Sequence, residues 1–248
     1  LAYAAGVELA RLPLIDAVKA GNRDAVRTLL KQPAVALKPV EGDGTTALHW
    51  AVRVDDLELV QALLRAGATN AANRYGTTPL ELAAENGNPS IIAALLQAGA
   101  DAKAATAEGE TMLMTASRTG NVEAMRVLLV HGADPNAHEN WYGETALIWA
   151  AAENHAAAVR LLLEGGAKAD LASKKMVFPR KVGGQTTLPV GGMTPLMYTA
   201  RQGALDAART LVEGGANLNL QDPHGTTATV FAIINGHYDV AAMLVERG

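Results

Sequence analysis

The chain has 248 residues with 49% hydrophobic and 19% charged side chains, an ordinary globular composition that suits one large domain or two small ones. A net charge of −4 excludes a global field that would draw the molecule to nucleic acid or an anionic membrane. The absence of cysteine excludes thiol nucleophiles, disulfides and Cys-based metal centres, and no apolar run approaches the ~18 residues that a bilayer-spanning helix needs.

Aromatics make up only 4% of the chain, and alanine and leucine take their place, as in closely packed helices rather than a β-sandwich. Residues 1–11 read as a lead-in. An opening at Leu1 implies a processed form or a fragment, and the segment lacks the basic start of an intact signal peptide.

Repeating units then follow in order, starting near residues 12, 44, 76, 109, 143, 192 and 225. The first, Leu12-Pro-Leu-Ile-Asp-Ala-Val, lacks the threonine that marks the others, as an end cap would. From Gly44 onward a Gly-x-Thr-x-Leu signature recurs at Gly76, Gly109, Gly143 and Gly192, and at Gly225 with Thr229 replacing leucine. The separations are 32, 33, 34, 49 and 33 residues, so one unit carries an insertion.

Each unit predicts two short helices. Thr46, Thr78, Thr111, Thr145, Thr194 and Thr227 stand where a hydroxyl is needed to cap the first helix. Pro79 and Pro195 follow at the first helical position. That helix is expected to stop at Gly21, Asp55, Gly87, Gly120, Asn154, Gly203 and Gly236, residue types that tolerate a left-handed backbone. On that reading Asn154→Gly is neutral or slightly stabilising. The carboxylates Asp55-Asp56 are expected to complement the dipole at the start of the second helix. That helix ends in paired aliphatics such as Leu63-Leu64 and Leu162-Leu163. Units of this kind cannot bury their apolar faces alone and must stack.

Between the fifth and sixth units lies the insertion, residues 172–191, which carries Lys174, Lys175, Arg180 and Lys181 and no acid. Gly183-Gly184 divides two runs rich in valine and threonine, the pattern of an elongated hairpin finger, although Pro179 and Pro189 oppose regular pairing. A tolerated surface loop is the alternative. The final unit ends at Gly248, where Ala-Asp is expected, so the natural chain is expected to continue.

Thr46-Ala-Leu-His-Trp-Ala, Thr78-Pro-Leu-Glu-Leu-Ala and Gly132-Ala-Asp-Pro-Asn resemble the ankyrin repeat. The resemblance covers residues 12–248, about seven units, and implies an all-α ankyrin repeat solenoid of helix-turn-helix repeats with short β-hairpin or finger loops. The family's signature histidine survives only as His49, being replaced by Glu81, Met114, Ile148, Met197 and Val230, which puts its polar link between repeats in question. The long fifth unit and Gly191-Gly192-Met-Thr-Pro-Leu-Met-Tyr are similar to the family's bacterial branch, whose members often carry export signals; that implies an extracytoplasmic setting, periplasmic or secreted.

The sequence holds no nucleophile elbow, phosphate loop or dinucleotide fingerprint. His131, Asp134 and His138 surround one finger but read as a solvated turn rather than a metal site. No catalysis, metal or cofactor is expected. The resemblance implies a scaffold that binds another protein through finger tips and the concave face of the first helices. The alternative is a binding or targeting domain of a larger enzyme or a multi-subunit complex.

One column of the first helix holds Trp50, Leu82, Thr115, Trp149, Tyr198 and Phe231, where rings either fill inter-repeat space or supply contact hot spots. Lys19, Arg53, Glu85, Arg118, Glu153, Arg201 and Asn235 are expected to face the groove, four cations against two acids, which points to a partner with an acidic surface. Tyr75, Trp141 and Tyr142 lie in finger turns with little core to fill. The candidate partner-binding residues are therefore Trp50, Arg53, Tyr75, Arg118, Trp141, Tyr142, Trp149, Lys174, Lys175, Phe178, Arg180, Lys181, Tyr198 and Arg201.

Overall fold

The computed structural model describes residues 13–32, 40–179 and 187–248, with the backbone alone over 177–179 and 187–189. The chain divides into two compact units, Leu1–Asp101 and Ala102–Gly248. In the first, helices run as α1 (Pro13–Lys19), α2 (Arg23–Leu30), α3 (Ala47–Arg53), α4 (Leu57–Arg65), α5 (Pro79–Asn86) and α6 (Pro89–Gln97). In the second they are α7 (Met112–Arg118), α8 (Val122–Val130), α9 (Ala146–Ala152), α10 (Ala156–Glu164), α11 (Pro195–Gln202), α12 (Leu205–Glu213), α13 (Ala228–Ile234) and α14 (Tyr238–Glu246).

Within each unit the helices form two rows. In the first, α1, α3 and α5 stack in one row and α2, α4 and α6 in the other; in the second, α7, α9, α11 and α13 face α8, α10, α12 and α14. The core lies between the rows. Leu48, Val52, Leu63, Leu80, Ile91 and Leu95 fill it in the first unit, and Leu113, Met125, Leu128, Leu147, Leu162, Leu196 and Leu211 in the second. Burying one such leucine contributes roughly 1.5–3 kcal/mol. From Leu63 onward the first leucine of each pair is buried, and Val245, the second member of the last pair, is 67% exposed.

The threonine caps form as expected. Thr46, Thr78, Thr111, Thr145, Thr194 and Thr227 each accept the N–H three residues on. All seven stop residues adopt positive φ, from +54° at Asp55 to +78° at Gly236. Asp56 caps α4, but Asp55 is the left-handed joint itself and accepts a hydrogen bond from the Asn88 side chain at 2.9 Å.

Asn154 does more than tolerate its conformation. Helix α12 starts at Ala204, which has no side chain to cap it. The Asn154 carboxamide oxygen of the preceding repeat takes over, accepting the Ala207 N–H at 3.0 Å. At Gly120 a Cβ would stand 2.8 Å from the His155 ring, which is held against the Arg118 carbonyl at 3.1 Å.

His49 supplies a polar link between repeats. It is 2% exposed. Its Nε2 lies 3.0 Å from the Thr77 carbonyl, which can only accept, so Nε2 carries the proton. Nδ1 then accepts the Thr46 N–H at 3.2 Å. Elsewhere methionine sulfur takes over only the Nδ1 contact inside the repeat: the Thr111 and Thr194 N–H groups point at Met114 and Met197 Sδ, each at 3.4 Å. Burial, against the pull of the Thr77 carbonyl and Asp43, holds the His49 imidazole below its ordinary pKa.

The described part of the insertion forms a two-stranded ladder. Strands β1 (Met176–Pro179) and β2 (Thr187–Val190) pair antiparallel, Met176 opposite Val190 and Phe178 opposite Leu188. Val177 faces Pro189 and Pro179 faces Thr187, so both prolines fall on the same class of rung. On that class the missing N–H points out of the ladder, which is why two prolines do not break it. The backbone closes tightly at the base. A Cβ at Gly191 would stand 2.1 Å from the Lys174 carbonyl oxygen, so only glycine fits.

Gly120→Val should cost about 2–3 kcal/mol, from the left-handed backbone and the displaced His155 ring. Asn154→Gly should cost about 1 kcal/mol by uncapping α12; its neutrality in urea melts would remove the cap from the account. His49 favours its neutral form when folded. Its contribution is therefore present above the unfolded value of about 6.5 and is lost as pH falls through the lower folded value. His49→Met should flatten that acid-side loss in melts followed against pH. Parallel profiles for the two proteins would contradict the link.

Candidate protein-interaction surface

In the first unit the column ring is Trp50, half-buried on α3. Its indole N–H donates to Glu41 at 3.0 Å. The Lys19 ammonium lies 4.2 Å from the ring centroid and the Arg53 guanidinium 5.5 Å. Lys19 also pairs with Glu41. The ring is thus covered by the same column position of two successive repeats and tied down by one carboxylate.

The second unit repeats the device with a carboxylate hub. Glu144 accepts the Trp149 indole N–H at 2.9 Å on one oxygen and the Tyr198 hydroxyl at 2.6 Å on the other. The Arg118 guanidinium lies 5.7 Å from the Trp149 ring, and that of Arg201 lies 4.6 Å from Tyr198. One repeat earlier Glu110 accepts the Thr115 hydroxyl at 2.8 Å. Arg118, Trp149, Tyr198 and Arg201 share a groove of about 390 Å³ with Glu110, Glu144 and Glu153. Burial, followed by the bond to Glu144, pushes the Tyr198 phenol up to about 12.

Two expectations change here. The register of the charged column slips by one at two repeats: α9 ends at Ala152 and α13 at Ile234, and these, not Glu153 and Asn235, match Arg53 and Arg118. The groove of the second unit also holds three carboxylates against two guanidiniums, so it is no cationic strip. Tyr198 is only 6% exposed. It positions Glu144 more than it offers a ring to a partner.

The finger aromatics point outward, Tyr75 at 80%, Trp141 at 67% and Tyr142 at 58% exposure. In most fingers a short polar side chain closes the turn: Asn73 accepts the Tyr75 and Thr77 N–H groups, and Asp222 those of His224 and Thr226. The finger carrying Trp141 is one residue longer, and Glu139 does the work. It is 6% exposed. Its carboxylate accepts three N–H groups, from Trp141 at 2.6 Å, Tyr142 at 2.7 Å and Glu144 at 2.9 Å. The Lys174 N–H donates to the Tyr142 carbonyl at 2.6 Å, joining the base of the insertion to this finger.

The structure thus gathers Arg118, Trp149, Tyr198 and Arg201 in one groove, and Trp141, Tyr142, Lys174 and Lys175 around one double finger. Trp50, Arg53 and Tyr75 belong to the first unit. The Phe178 side chain, Arg180 and Lys181 lie outside the described residues. Sequence reading missed Glu41, Glu110, Glu139 and Glu144, which hold the rings and turns. A signal existed for Glu139: the 34-residue spacing, one longer than the spacing before it, adds a residue to that finger. Among the described residues no group of three His, Asp or Glu is placed to hold a metal.

A family model described as ankyrin repeats in three copies matches residues 14–106, 83–175 and 174–248. Mouse protein phosphatase 1 regulatory subunit 27 is 33% identical over 39% of this chain and 63% of its own length. Human ankyrin repeat and SOCS box protein 16 is 36% identical over 67% of this chain and 38% of its own. The chain therefore spans less than two thirds of these relatives. Among solved structures, the ankyrin repeat domain of Bcl-3 superposes with a TM-score of 0.74 at 32% identity, covering 89% of this chain and 93% of that one. The human ASB11 ankyrin repeat domain gives 0.76 at 27% identity, over 95% and 97%. The sequence relatives are eukaryotic and lend no support to the bacterial branch. With its helix pairs, threonine caps and left-handed joints in place, the chain belongs to the ankyrin repeat family.

Proposed function

We propose that the chain is a non-enzymatic scaffold that binds a partner protein through the groove of its first helices and through its finger tips. Ankyrin repeats are general protein-interaction modules, and the relatives include a phosphatase regulatory subunit. The observation that carries the reading is the treatment of the groove aromatics. Trp50 in one unit and Trp149 in the other, both half-buried, are each bonded to a carboxylate and flanked by a cation. Holding rings in one orientation at a surface lowers the entropy lost on association. Packing alone does not call for it.

A second reading, an ankyrin module within a larger enzyme, has its own support. The E3 ubiquitin-protein ligase KEG of Arabidopsis thaliana matches at 34% identity over 6% of its length. The NAD-dependent deacetylase sir2B of Dictyostelium discoideum matches at 33% over 10%. In both, the matched stretch is a minor part of a protein whose name is an activity.

Affinity capture from the source organism, followed by mass spectrometry, tests the scaffold directly. A discrete protein should be recovered by the native chain and less by Glu144→Ala. The same substitution should lower the Tyr198 ionisation from about 12 in an ultraviolet titration, which shows that the hub was released. It should cost about 1–2 kcal/mol in stability. Undiminished capture with a lowered Tyr198 midpoint would remove the groove from the interface. Capture of nothing but small molecules would overturn the scaffold.

A further inference from the structure

Between the finger of Trp141 and Tyr142 and the base of the insertion lies a concavity of about 350 Å³, with Tyr142, Lys174, Met176, Met193 and Arg201 on its walls. Its charges are unequally spent. Glu144 has both oxygens occupied, by Trp149 and Tyr198. Glu139, behind the finger, is saturated by three backbone N–H groups. Among the described residues, Lys174, Lys175 and Arg201 form no ion pair. The Arg201 fork is braced on the Tyr198 ring and touches the Met193 sulfur at 3.7 Å. Around the concavity the three cations Lys174, Lys175 and Arg201 stand against the two carboxylates Glu139 and Glu144, whose acceptor positions are already taken.

The walls are also fixed. The Lys174 N–H bonds to the Tyr142 carbonyl, Ser173 and Met193 exchange bonds at 2.9 and 3.1 Å, and the Gly191 backbone lies against Lys174 with no room for a side chain. Beside the opening stand Trp141 and Tyr142, whose turn is held by Glu139. Exposed aromatic rings on a rigid turn are effective anchors because little freedom is lost when they are covered.

We propose that this concavity receives the carboxylate of an acidic protein segment between Lys174 and Arg201, while an apolar residue next to it in that segment covers Trp141 and Tyr142. A carboxylate suits a guanidinium fork and an ammonium better than any neutral group does, and the apolar neighbour suits two rings that are 67% and 58% exposed. The proposal rests on the scaffold reading and narrows it to a partner chemistry.

The test uses a short synthetic peptide with phenylalanine and leucine between glutamates, a counterpart with lysine for glutamate, and phosphatidylserine vesicles. Binding is followed by tryptophan fluorescence at low and high salt. The acidic peptide should bind and the lysine counterpart should not. Lys174→Ser with Arg201→Gln should weaken binding about tenfold or more and flatten its salt dependence. Trp141→Ala should weaken it without changing the salt slope. Thermal melts check that each variant is folded. Equal binding of both peptides, or unchanged affinity in the folded double variant, would overturn the proposal, as would binding to vesicles without binding to the peptide. If the double variant still captures the native chain's partner, the scaffold stands and this subsite fails; if neither captures a protein, the scaffold itself fails.

Discussion

The described helices are seven to nine residues long. Isolated helices below about 12–15 residues are marginal in water. Each one therefore depends on apolar packing against its neighbours within its unit, and the remaining features serve that stacking. The threonine caps satisfy N–H groups that so short a helix cannot satisfy itself. The left-handed joints turn the chain sharply enough for two helices to share one core. Single residues then act across repeat boundaries: Asn154 caps a helix in the following repeat, and the His155 and His237 rings reach back to the Arg118 and Arg201 carbonyls.

The proposed interaction surface is a by-product of the same register. Because equivalent residues of successive repeats stand next to each other, a cation in one repeat can cover an aromatic ring of the next, as Lys19 covers Trp50 and Arg118 covers Trp149. A glutamate just ahead of the threonine cap is close enough to take a ring donor from its own repeat and another from the next, as Glu144 does. The groove is built from pairs that span the joints, so changes in the stack are felt at the surface.

Local features of the fold were readable from spacing because they depend on one residue at one position. Thr46 and its equivalents, and the joint from Gly21 to Gly236, need only their own chemistry. The identity of the column was readable; its partners were not. Trp149 and Tyr198 stand out in the sequence, but Glu144 is 54 residues from Tyr198, across the insertion, so its bond to that hydroxyl has no local signal. Glu153 stands one residue beyond the column position, which counting seven residues from the Thr145 cap places at Ala152, although Glu153 still lines the groove. Asn154 shows the limit from the other side. Its backbone role was legible, whereas its bond to Ala207 depends on the stacking of α9 against α12.

Site-specific photo-crosslinking tests the surface most directly. A photoreactive phenylalanine analogue placed at Trp149 and at Trp141 samples the groove and the finger; one at Arg160, exposed on the outer row of helices, samples the opposite side. The account predicts crosslinks to a discrete protein from the first two positions and none from the third. Crosslinks from Arg160 alone would place the partner on the second helices and contradict it.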